Sequence, residues 1–137
     1  MNDCIFCKII AGEIPSETVY CNDEFVAILD AFPANKGHVL VLPKNHVKDA
    51  FEIDGGQAAR AFELAVRIAG CLEKLEHVEG VNILQNNREA AGQTVFHFHI
   101  HIIPRFKGDS VNSSWKTLRY SEGEMAQIGN IIRKGIG

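Results

Sequence analysis

Apolar and polar positions alternate most clearly over residues 95–105, Val-Phe-His-Phe-His-Ile-His-Ile-Ile-Pro-Arg. A β-strand sends successive side chains to opposite faces, so this pattern predicts a strand with imidazoles on one face and apolar groups on the other. The polar positions are His97, His99 and His101, and the apolar positions are Phe98, Ile100 and Ile102. We expect the strand to end at Pro104, which has no N–H to donate to a sheet ladder.

Four more segments are rich in β-branched and apolar residues and are bounded by Gly, Pro, Asn or Asp, which predicts strands. They cover residues 18–21, 24–30, 38–42 and 81–87. The pair Asn22-Asp23 between the first two segments indicates a hairpin. Pro43 closes the third segment.

Three segments have a helical pattern. A short helix is predicted over residues 4–10, before Gly12. The capping box at Asp54–Gln57 starts a long helix that runs to about Glu76, and a second box at Ser121–Glu124 starts a C-terminal helix to about Lys134. Five strands, one long helix and short terminal helices, joined by hairpin-length connections, predict one antiparallel α+β domain over residues 1–137.

The long helix is apolar over more of its circumference than packing on one surface requires, which is a stripe of about 100°. Its two adjoining stripes are Ala58, Ala61, Phe62, Ala65, Ala69, Leu72 and Leu64, Ile68, Cys71, Leu75. We therefore expect this helix to contact its own sheet and a second copy of the chain, in a homodimer.

Composition excludes several classes of protein. The net charge is −3, and the 14 Lys and Arg residues are scattered, so a nucleic-acid polymer is not an expected partner. There is no apolar run of 18 residues and no basic segment typical of a signal peptide, so we expect no membrane association and a cytoplasmic location. In that compartment the four cysteines indicate metal ligation or burial before disulfides.

Three histidines on one strand face suggest either a metal site or covalent catalysis. For a catalytic metal, a third ligand would come from upstream, at His38 or His46, because no histidine follows His101. For covalent catalysis, His99 would attack an electrophile, with His97 and His101 on either side of it. A phosphorus atom suits a histidine nucleophile, and the absence of a basic cluster favours action at one phosphorus.

Polar residues just before the histidine strand are candidate hydrogen-bond donors to phosphate oxygens. They are Asn86, Gln93 and Thr94.

The motif from His97 to Ile103 resembles the His-φ-His-φ-His-φ-φ signature of the histidine triad family of nucleotide hydrolases and transferases, where φ is an apolar residue. Further matches fall in the family's order over residues 4–105: Ile5-Phe-x-Lys-Ile-Ile, Glu13-Ile-Pro, Leu29-Asp30, Gly37-His38-Val-Leu-Val-Leu-Pro-Lys-x-His46, and Asn86 with Gly92-Gln-Thr94. The resemblance implies the histidine triad fold, an antiparallel meander sheet with one long helix, assembled as a homodimer.

The resemblance also implies roles for single residues. His99 matches the nucleophile that takes the α-phosphoryl group of a nucleotide, and we expect the backbone carbonyl of His97 to orient its ring. His101 and His38 match histidines that line the phosphate site, and Asn86 and Thr94 match phosphate contacts. Asp30 matches the acid that accepts the ribose hydroxyls. An apolar slot for a purine base matches Phe6, Ile9, Ile28 and Leu40.

Cys4-x-x-Cys7 has a spacing typical of zinc sites, and a redox pair is the weaker alternative because no strand precedes it. A branch of the family that resembles this sequence completes a tetrahedral zinc site with the residues that match His46 and His97. Four ligands with no open position imply structural zinc, and no catalytic metal is expected. We expect Cys21 and Cys71 to be small core residues.

These observations together predict an enzyme that acts at the α-phosphorus of purine nucleotides through a nucleotidyl-histidine intermediate. Nucleoside phosphoramidates and aminoacyl-adenylates are the favoured substrates. Two alternatives stay open: a dinucleoside polyphosphate hydrolase, because Ile103-Pro-Arg105 also resembles that branch, and a nucleotide-binding regulatory protein with incidental activity. The sequence does not decide between adenine and guanine as the preferred base, and it does not identify the leaving group. The general acid is also undecided, with His101 and His38 as candidates.

Overall fold

The protein was analysed as a computed structural model, which describes residues 3–111 and 114–137. Three helices and five strands follow one another in an α+β arrangement. They are α1 (Ile5–Ile10), β1 (Thr18–Cys21), β2 (Phe25–Leu29), β3 (Val39–Pro43), α2 (Gly55–Leu72), β4 (Gly80–Leu84), β5 (Ile100–Arg105) and α3 (Glu124–Ile136). A short 3₁₀ turn, Glu89–Ala91, lies between β4 and β5.

The five strands form one antiparallel sheet in the order β1-β2-β3-β5-β4. The first three strands make the expected meander, and the Asn22 side chain closes the first hairpin by accepting from the N–H groups of Glu24 and Phe25. The meander stops there, because the chain crosses through α2 and returns as β4 at the edge, and β5 is inserted between β3 and β4. The histidine strand therefore lies inside the sheet.

One face of the sheet packs against α2. The Asp54 carboxylate caps α2 by accepting from the N–H of Gln57 at 3.2 Å. The Gln57 side chain does not complete the predicted capping box, because it bonds the Asn45 side chain instead. The core on this face contains Phe25, Ala27, Val39, Val41, Ala61, Leu64, Ala65, Ile68, Leu72, Phe98, Ile100 and Ile102.

The opposite face of the sheet carries a second apolar cluster beneath α1. Its buried members are Phe6, Val26, Ile28, Leu40 and Leu42. Since β3 contributes alternate residues to the two clusters, the sheet separates an α2 side from an α1 side. The candidate site lies on the α1 side.

The predicted alternation over residues 97–102 is confirmed, but the strand is shorter than expected. Regular pairing begins at Ile100, and just before it the backbone N–H of Phe98 donates to the Val47 carbonyl without forming a ladder. Pro104 does not end the strand: it pairs with Val81 of β4. It is tolerated because β3 pairs with β5 only as far as Ile102, which leaves one side of β5 without a ladder partner at Pro104.

Helix ends and two cysteines also differ from expectation. α2 ends at Leu72 instead of Glu76. α3 begins at Glu124, because Gly123 takes the N-cap position with φ +80°, although the Glu124 carboxylate still accepts from the Ser121 N–H. Cys21 and Cys71 are exposed, not core residues. Among the described residues, no helix is both long and apolar enough to cross a membrane.

Candidate active site and metal centre

A cavity of about 680 Å³ opens on the α1 side of the sheet, between α1, the β2–β3 connection and the histidine strand. Eight of the residues that the sequence assigned to catalysis or nucleotide binding line this cavity. They are Phe6, Ile9, Ile28, Asp30, Leu40, Thr94, His99 and His101. One cavity therefore contains an apolar slot, a carboxylate and two imidazoles.

His99 is buried, with 5% of its surface exposed, and its edge contacts the Phe6 ring. Its Nδ1 lies 2.7 Å from the backbone carbonyl of His97. A carbonyl only accepts, so Nδ1 carries the proton and Nε2 keeps its lone pair. Burial lowers the pKa of His99, an effect that the His97 carbonyl partly opposes. The ring is thus neutral and nucleophilic at Nε2.

Two consecutive hydrogen bonds, from Ala34 to His38 and from His38 to His101, determine which ring nitrogen carries the proton in each histidine. The backbone N–H of Ala34 donates to His38 Nδ1 at 3.0 Å, so the proton of neutral His38 is on Nε2. That nitrogen lies 2.9 Å from His101 Nδ1, which therefore accepts. His101 keeps its own proton on Nε2. The arrangement gives the cavity a nucleophilic nitrogen from His99 and an N–H donor from His101.

Burial and crowding keep these imidazoles uncharged near pH 7. Burial is the largest cause that lowers the pKa of His101 to about 4, and the neighbouring His99 and His38 add to it. Burial also lowers the pKa of His38, although the negative charge of Asp30 opposes this shift. The cavity therefore contains neutral imidazoles and not imidazolium ions near pH 7.

Asp30 follows β2 at the mouth of the cavity. One carboxylate oxygen accepts from the Phe32 N–H at 2.8 Å, and the other lies 3.7 Å from His38 Nε2. The Phe32 N–H therefore holds the carboxylate on one side, and 21% of the Asp30 side chain remains exposed.

The three polar residues predicted before the histidine strand have different surroundings. Thr94 lines the cavity. The Asn86 amide lies against Gly92, where φ is +94° and a Cβ would come within 3.6 Å of Asn86 Nδ2. Gln93 is 2% exposed, and its amide is bonded to the backbone N–H of Arg88 and to the carbonyls of Lys48 and Val95. Because these bonds engage both ends of the amide, the geometry gives Gln93 the role of holding this loop and not that of a phosphate contact.

The structure adds cavity residues to which the sequence analysis gave no role. They are Ile5, Ile14, Pro15, Ser16, Glu17, Leu29, Ala31, Phe32 and Val95. The motif Glu13-Ile-Pro points to this region, but nothing in the sequence indicates that the chain after it folds against β2. Over the described lining, the charged side chains are the carboxylates of Glu17 and Asp30, and no lysine or arginine is present.

A second constellation lies beside the cavity. Cys4, Cys7, His46 and His97 each offer one ligand atom, and these atoms lie within 4.8 Å of one another. His97 Nδ1 is 3.5 Å from Cys4 Sγ, 3.6 Å from Cys7 Sγ and 3.2 Å from His46 Nδ1. Zinc bonds of about 2.3 Å to sulfur and about 2.0 Å to nitrogen put tetrahedral ligand atoms roughly 3.3–3.8 Å apart. The three distances from His97 Nδ1 agree with that geometry to within about 0.1 Å.

The protonation of the cluster also fits a cation. His97 is fully buried, and its Nε2 donates to the Pro43 carbonyl at 2.8 Å, which leaves the Nδ1 lone pair directed at the two sulfurs and His46. Without a cation, burial raises the pKa of the Cys7 thiol, and the neighbouring Cys4 adds to this. A divalent ion would reverse that effect, since a coordinating thiol is deprotonated.

Asp30, His38 and His101 form another group whose ligand atoms lie within 4.8 Å of one another. A metal at His38 Nε2 would require the ring proton on Nδ1, where it would face the N–H of Ala34. The hydrogen bond from Ala34 therefore disfavours metal binding by this group.

Comparison with known proteins agrees with this geometry. A family model described as the HIT domain matches residues 11–108. The "Protein hit" of Bacillus subtilis is 43% identical over 135 residues, covering 96% of this chain and 93% of that protein. Adenylylsulfatase HINT3 of Arabidopsis thaliana is 38% identical, covering 97% of this chain and 69% of that protein.

Solved structures show the same fold. A crystal structure from Streptococcus mutans is 44% identical and superposes with a TM-score of 0.93, covering 100% of this chain and 87% of that one. A zinc-bound histidine triad family protein from Mycobacterium smegmatis is 33% identical with a TM-score of 0.77, covering 95% and 98%.

Proposed function

This chain belongs to the HIT domain family, and from that premise we propose that it hydrolyses purine nucleotides at the α-phosphorus through a covalent intermediate on His99. The observation that carries the proposal is the hydrogen bond of 2.7 Å from His99 Nδ1 to the His97 carbonyl. It leaves Nε2 as an unprotonated nitrogen in a cavity that also holds an N–H of His101 and a carboxylate.

The proposed reaction has two steps. His99 Nε2 attacks the α-phosphorus, a nitrogen–phosphorus bond forms, and the bond from phosphorus to the leaving group breaks. The leaving group takes a proton from solvent, and neutral His101 Nε2–H donates a hydrogen bond to the reacting phosphoryl group. Water then attacks the same phosphorus and gives up a proton to solvent, the nitrogen–phosphorus bond breaks, and a nucleoside monophosphate and neutral His99 are released.

The charge of the cavity favours one class of leaving group. A polyphosphate would bring several negative charges toward Glu17 and Asp30, with no lysine or arginine in the described lining to offset them. An amine or an aminoacyl group brings no such charge. We therefore propose nucleoside phosphoramidates and aminoacyl-adenylates as substrates, ahead of dinucleoside polyphosphates. The name of the Arabidopsis relative makes adenylylsulfate a further compound to test.

The test is turnover of a fluorogenic adenosine 5′-phosphoramidate by the wild type and by His99→Ala. We expect the variant to lose at least about 1,000-fold in kcat, since the nucleophile is removed. Rapid acid quenching and mass spectrometry of the wild type should show nucleotide attached to His99. Equal turnover by both proteins would overturn the proposal.

A panel of leaving groups tests the substrate class. The phosphoramidate, diadenosine triphosphate and adenylylsulfate are compared by kcat/KM at equal concentration. The proposal expects the phosphoramidate to be preferred. If nucleotide binds tightly but the wild type turns over none of the three, the regulatory alternative is favoured over an enzyme.

We further propose that Cys4, Cys7, His46 and His97 hold one structural zinc ion. The distances and the fixed protonation of His97 support this, as does the zinc-bound relative. Bound zinc would be a tetrahedral cross-link and no part of the reaction. Elemental analysis of dialysed protein should give one zinc per chain, and Cys4→Ser/Cys7→Ser should abolish it, whereas Cys21→Ser should not. A kcat that is largely kept at saturating nucleotide after complete zinc removal by a chelator would agree with a structural ion. Loss of kcat that zinc restores, with no nucleotide attached to His99, would favour a catalytic metal.

We also propose a homodimer, and the exposed apolar surface beside α2 and β4 supports it. Phe62 and Val66 on one flank of α2 are 54% and 49% exposed, and β4 is an edge strand that carries no charged residue. Light scattering after size exclusion should give a dimer at micromolar concentration. Val66→Glu should dissociate it, and Lys74→Glu, which also introduces a glutamate at an exposed position, should not. A wild-type monomer under these conditions would contradict the proposal.

A further inference from the structure

The candidate active-site cavity contains one charged group that the proposed reaction does not use. Glu17 and Asp30 are the charged side chains of the described lining. The family resemblance assigns Asp30 to the ribose, and the proposed reaction uses His99 at the phosphorus. The base is then the part of the nucleotide that has no polar contact, and Glu17 is the charged group left to provide one.

Glu17 lies at the end of the cavity that carries the apolar slot. Residues 14–17, in the connection from α1 to β1, all line the cavity, and α1 supplies Phe6 and Ile9 to the slot. The Glu17 carbonyl accepts from the Leu29 N–H at 2.9 Å, which fixes this connection beside the end of β2. Glu17 is therefore adjacent to the slot in which the base is expected.

The Glu17 carboxylate is free to bind a ligand. Glu17 is exposed, and within residues 3–111 and 114–137 no group forms a hydrogen bond or an ion pair with its carboxylate. The Asp30 carboxylate, by contrast, accepts from the Phe32 N–H. An ionised carboxylate only accepts hydrogen bonds, and its two oxygens can take two donors side by side. A ligand group that binds Glu17 must therefore present N–H or O–H donors.

The two purines differ in what they offer to such an acceptor. The Watson–Crick edge of guanine has two adjacent donors, N1–H and the 2-amino group, beside the O6 acceptor. The same edge of adenine has one donor, the 6-amino group, next to N1, an acceptor that a carboxylate repels. The Ser16 hydroxyl also lines the cavity, but a hydroxyl both donates and accepts, so it can pair with either purine. The carboxylate is thus the group that discriminates.

We infer that the protein prefers guanine nucleotides, because Glu17 accepts from N1–H and from the 2-amino group of guanine. The inference rests on the proposed function, which puts a purine in the slot, and it names the substrate class as guanosine 5′-phosphoramidates ahead of their adenosine counterparts. The apolar slot contacts the faces of both purines alike. A bidentate pair with a base edge discriminates by about tenfold or more, which is the preference expected here.

Calorimetric titration of the full chain with GMP, IMP and AMP measures the preference without requiring turnover. GMP should bind at least about tenfold more tightly than AMP. IMP keeps N1–H and O6 but lacks the 2-amino group, so its dissociation constant should lie between the other two. The same order should appear in kcat/KM for the three nucleoside phosphoramidates with one common amine. Dissociation constants of GMP and AMP within about twofold of each other, or tighter binding of AMP, would overturn the inference.

Glu17→Gln tests whether this residue sets the preference. The glutamine amide donates as well as accepts and can pair with either purine, so the two dissociation constants should come within about twofold of each other. Glu13→Gln is the matched control, because Glu13 is exposed in the same connection and lies outside the cavity lining. It removes the same charge and should keep the wild-type ratio. A ratio that Glu17→Gln keeps, or that both variants lose equally, would contradict the role of Glu17.

Failure of this inference can be distinguished from failure of the proposed reaction. Guanine-selective binding without turnover of any phosphoramidate would contradict the hydrolysis and support the role of Glu17. Turnover through His99 with equal use of guanosine and adenosine would support the hydrolysis and overturn the role of Glu17. Binding of none of the three nucleotides would overturn both.

Discussion

His38 has both ring nitrogens engaged, and this fixes the proton of a different residue. With the Ala34 N–H on one nitrogen, the other can only donate to His101 Nδ1. His101 is then held with its own proton on Nε2. A histidine at position 38 thus acts on the substrate through His101, as a positioning residue.

We predict that His38→Ala lowers kcat by roughly 10- to 100-fold, because His101 can then adopt the other tautomer and lose its hydrogen bond to the phosphoryl group, and removing one such donor outright costs about 10²–10³-fold. His38→Gln should recover much of the loss, since its amide can donate to His101. The comparison of kcat for the three proteins measures this. If the glutamine variant is as slow as the alanine variant, the orientation of His101 does not depend on that donor.

His101 should also contribute to the pH dependence of the free energy of unfolding. Its pKa is about 4 in the folded chain and near 6.5 when unfolded. Between these values the unfolded chain binds more protons, so the free energy of unfolding falls as the pH drops from 6.5 to 4, by at most about 1.4 kcal/mol per pH unit for this group. The charged and titratable groups that face it are Asp30, His38 and His99.

Urea unfolding at several pH values between 7 and 4 tests this prediction. His101→Gln should flatten the pH dependence of the free energy of unfolding, while His77→Gln, at an exposed position, should leave it as in the wild type. Parallel curves for wild type and His101→Gln would contradict the assigned pKa.

For single residues, the sequence predicted which side chains belong to the site better than it predicted which hydrogen bonds each side chain makes. The sequence predicted that His99, Asp30 and the apolar residues at positions 6, 9, 28 and 40 belong to one site, because their motif is specific and their order along the chain is fixed. It did not predict that the Gln93 amide is bonded to three backbone groups. These hydrogen bonds form because the tertiary fold brings the backbone of residues 48, 88 and 95 around the Gln93 amide, and a local sequence pattern does not contain that information.

The long helix gives a prediction at the scale of elements. The Asp54 carboxylate accepts from the Gln57 N–H and caps α2, and α2 packs against one face of the sheet. We expect Asp54→Ala to lower the free energy of unfolding by about 1 kcal/mol, and Asp54→Ser to lower it by less, because serine is also a good N-cap. Denaturant midpoints at constant m-value measure both. An alanine variant as stable as the wild type would show that packing alone holds this end of the helix.

Elements were predicted well where periodicity and local caps agree, as in β1 and the start of α2. They were predicted less well where the bounds of a strand depend on whether a neighbouring strand lies beside it. The alternation of His97 and His99 with apolar residues has the period of a strand, but those residues lack the ladder partners that Ile100 to Arg105 find in β3 and β4. Pro104 continues a strand for the same reason, since only one side of β5 is paired there.

For the whole molecule, the four candidate metal ligands connect parts of the chain that are far apart in sequence. Cys4 and Cys7 flank the start of α1, His46 follows β3, and His97 precedes β5. Phe6 lies between the two cysteines, is 7% exposed and contacts the rings of both His97 and His99. The sequence could predict the ligands, but not that the residue between them forms a wall of the base slot. One cross-link would therefore hold α1 and shape the slot together.

This connection leads to a prediction that separates binding from chemistry. If the proposed zinc is bound, Cys7→Ser should lose it and release α1, so that Phe6 leaves the slot. KM for the nucleotide should then rise about tenfold, equivalent to about 1.4 kcal/mol of lost apolar contact. The effect on kcat should be smaller, because His99 is oriented by a backbone carbonyl, and His97 still donates to Pro43. Cys21→Ser is the control, since Cys21 is exposed and lies outside the cluster. Hydrogen exchange should show faster exchange in α1 for Cys7→Ser alone. A fall in kcat at constant KM would mean that the cluster acts on the nucleophile and not on the slot.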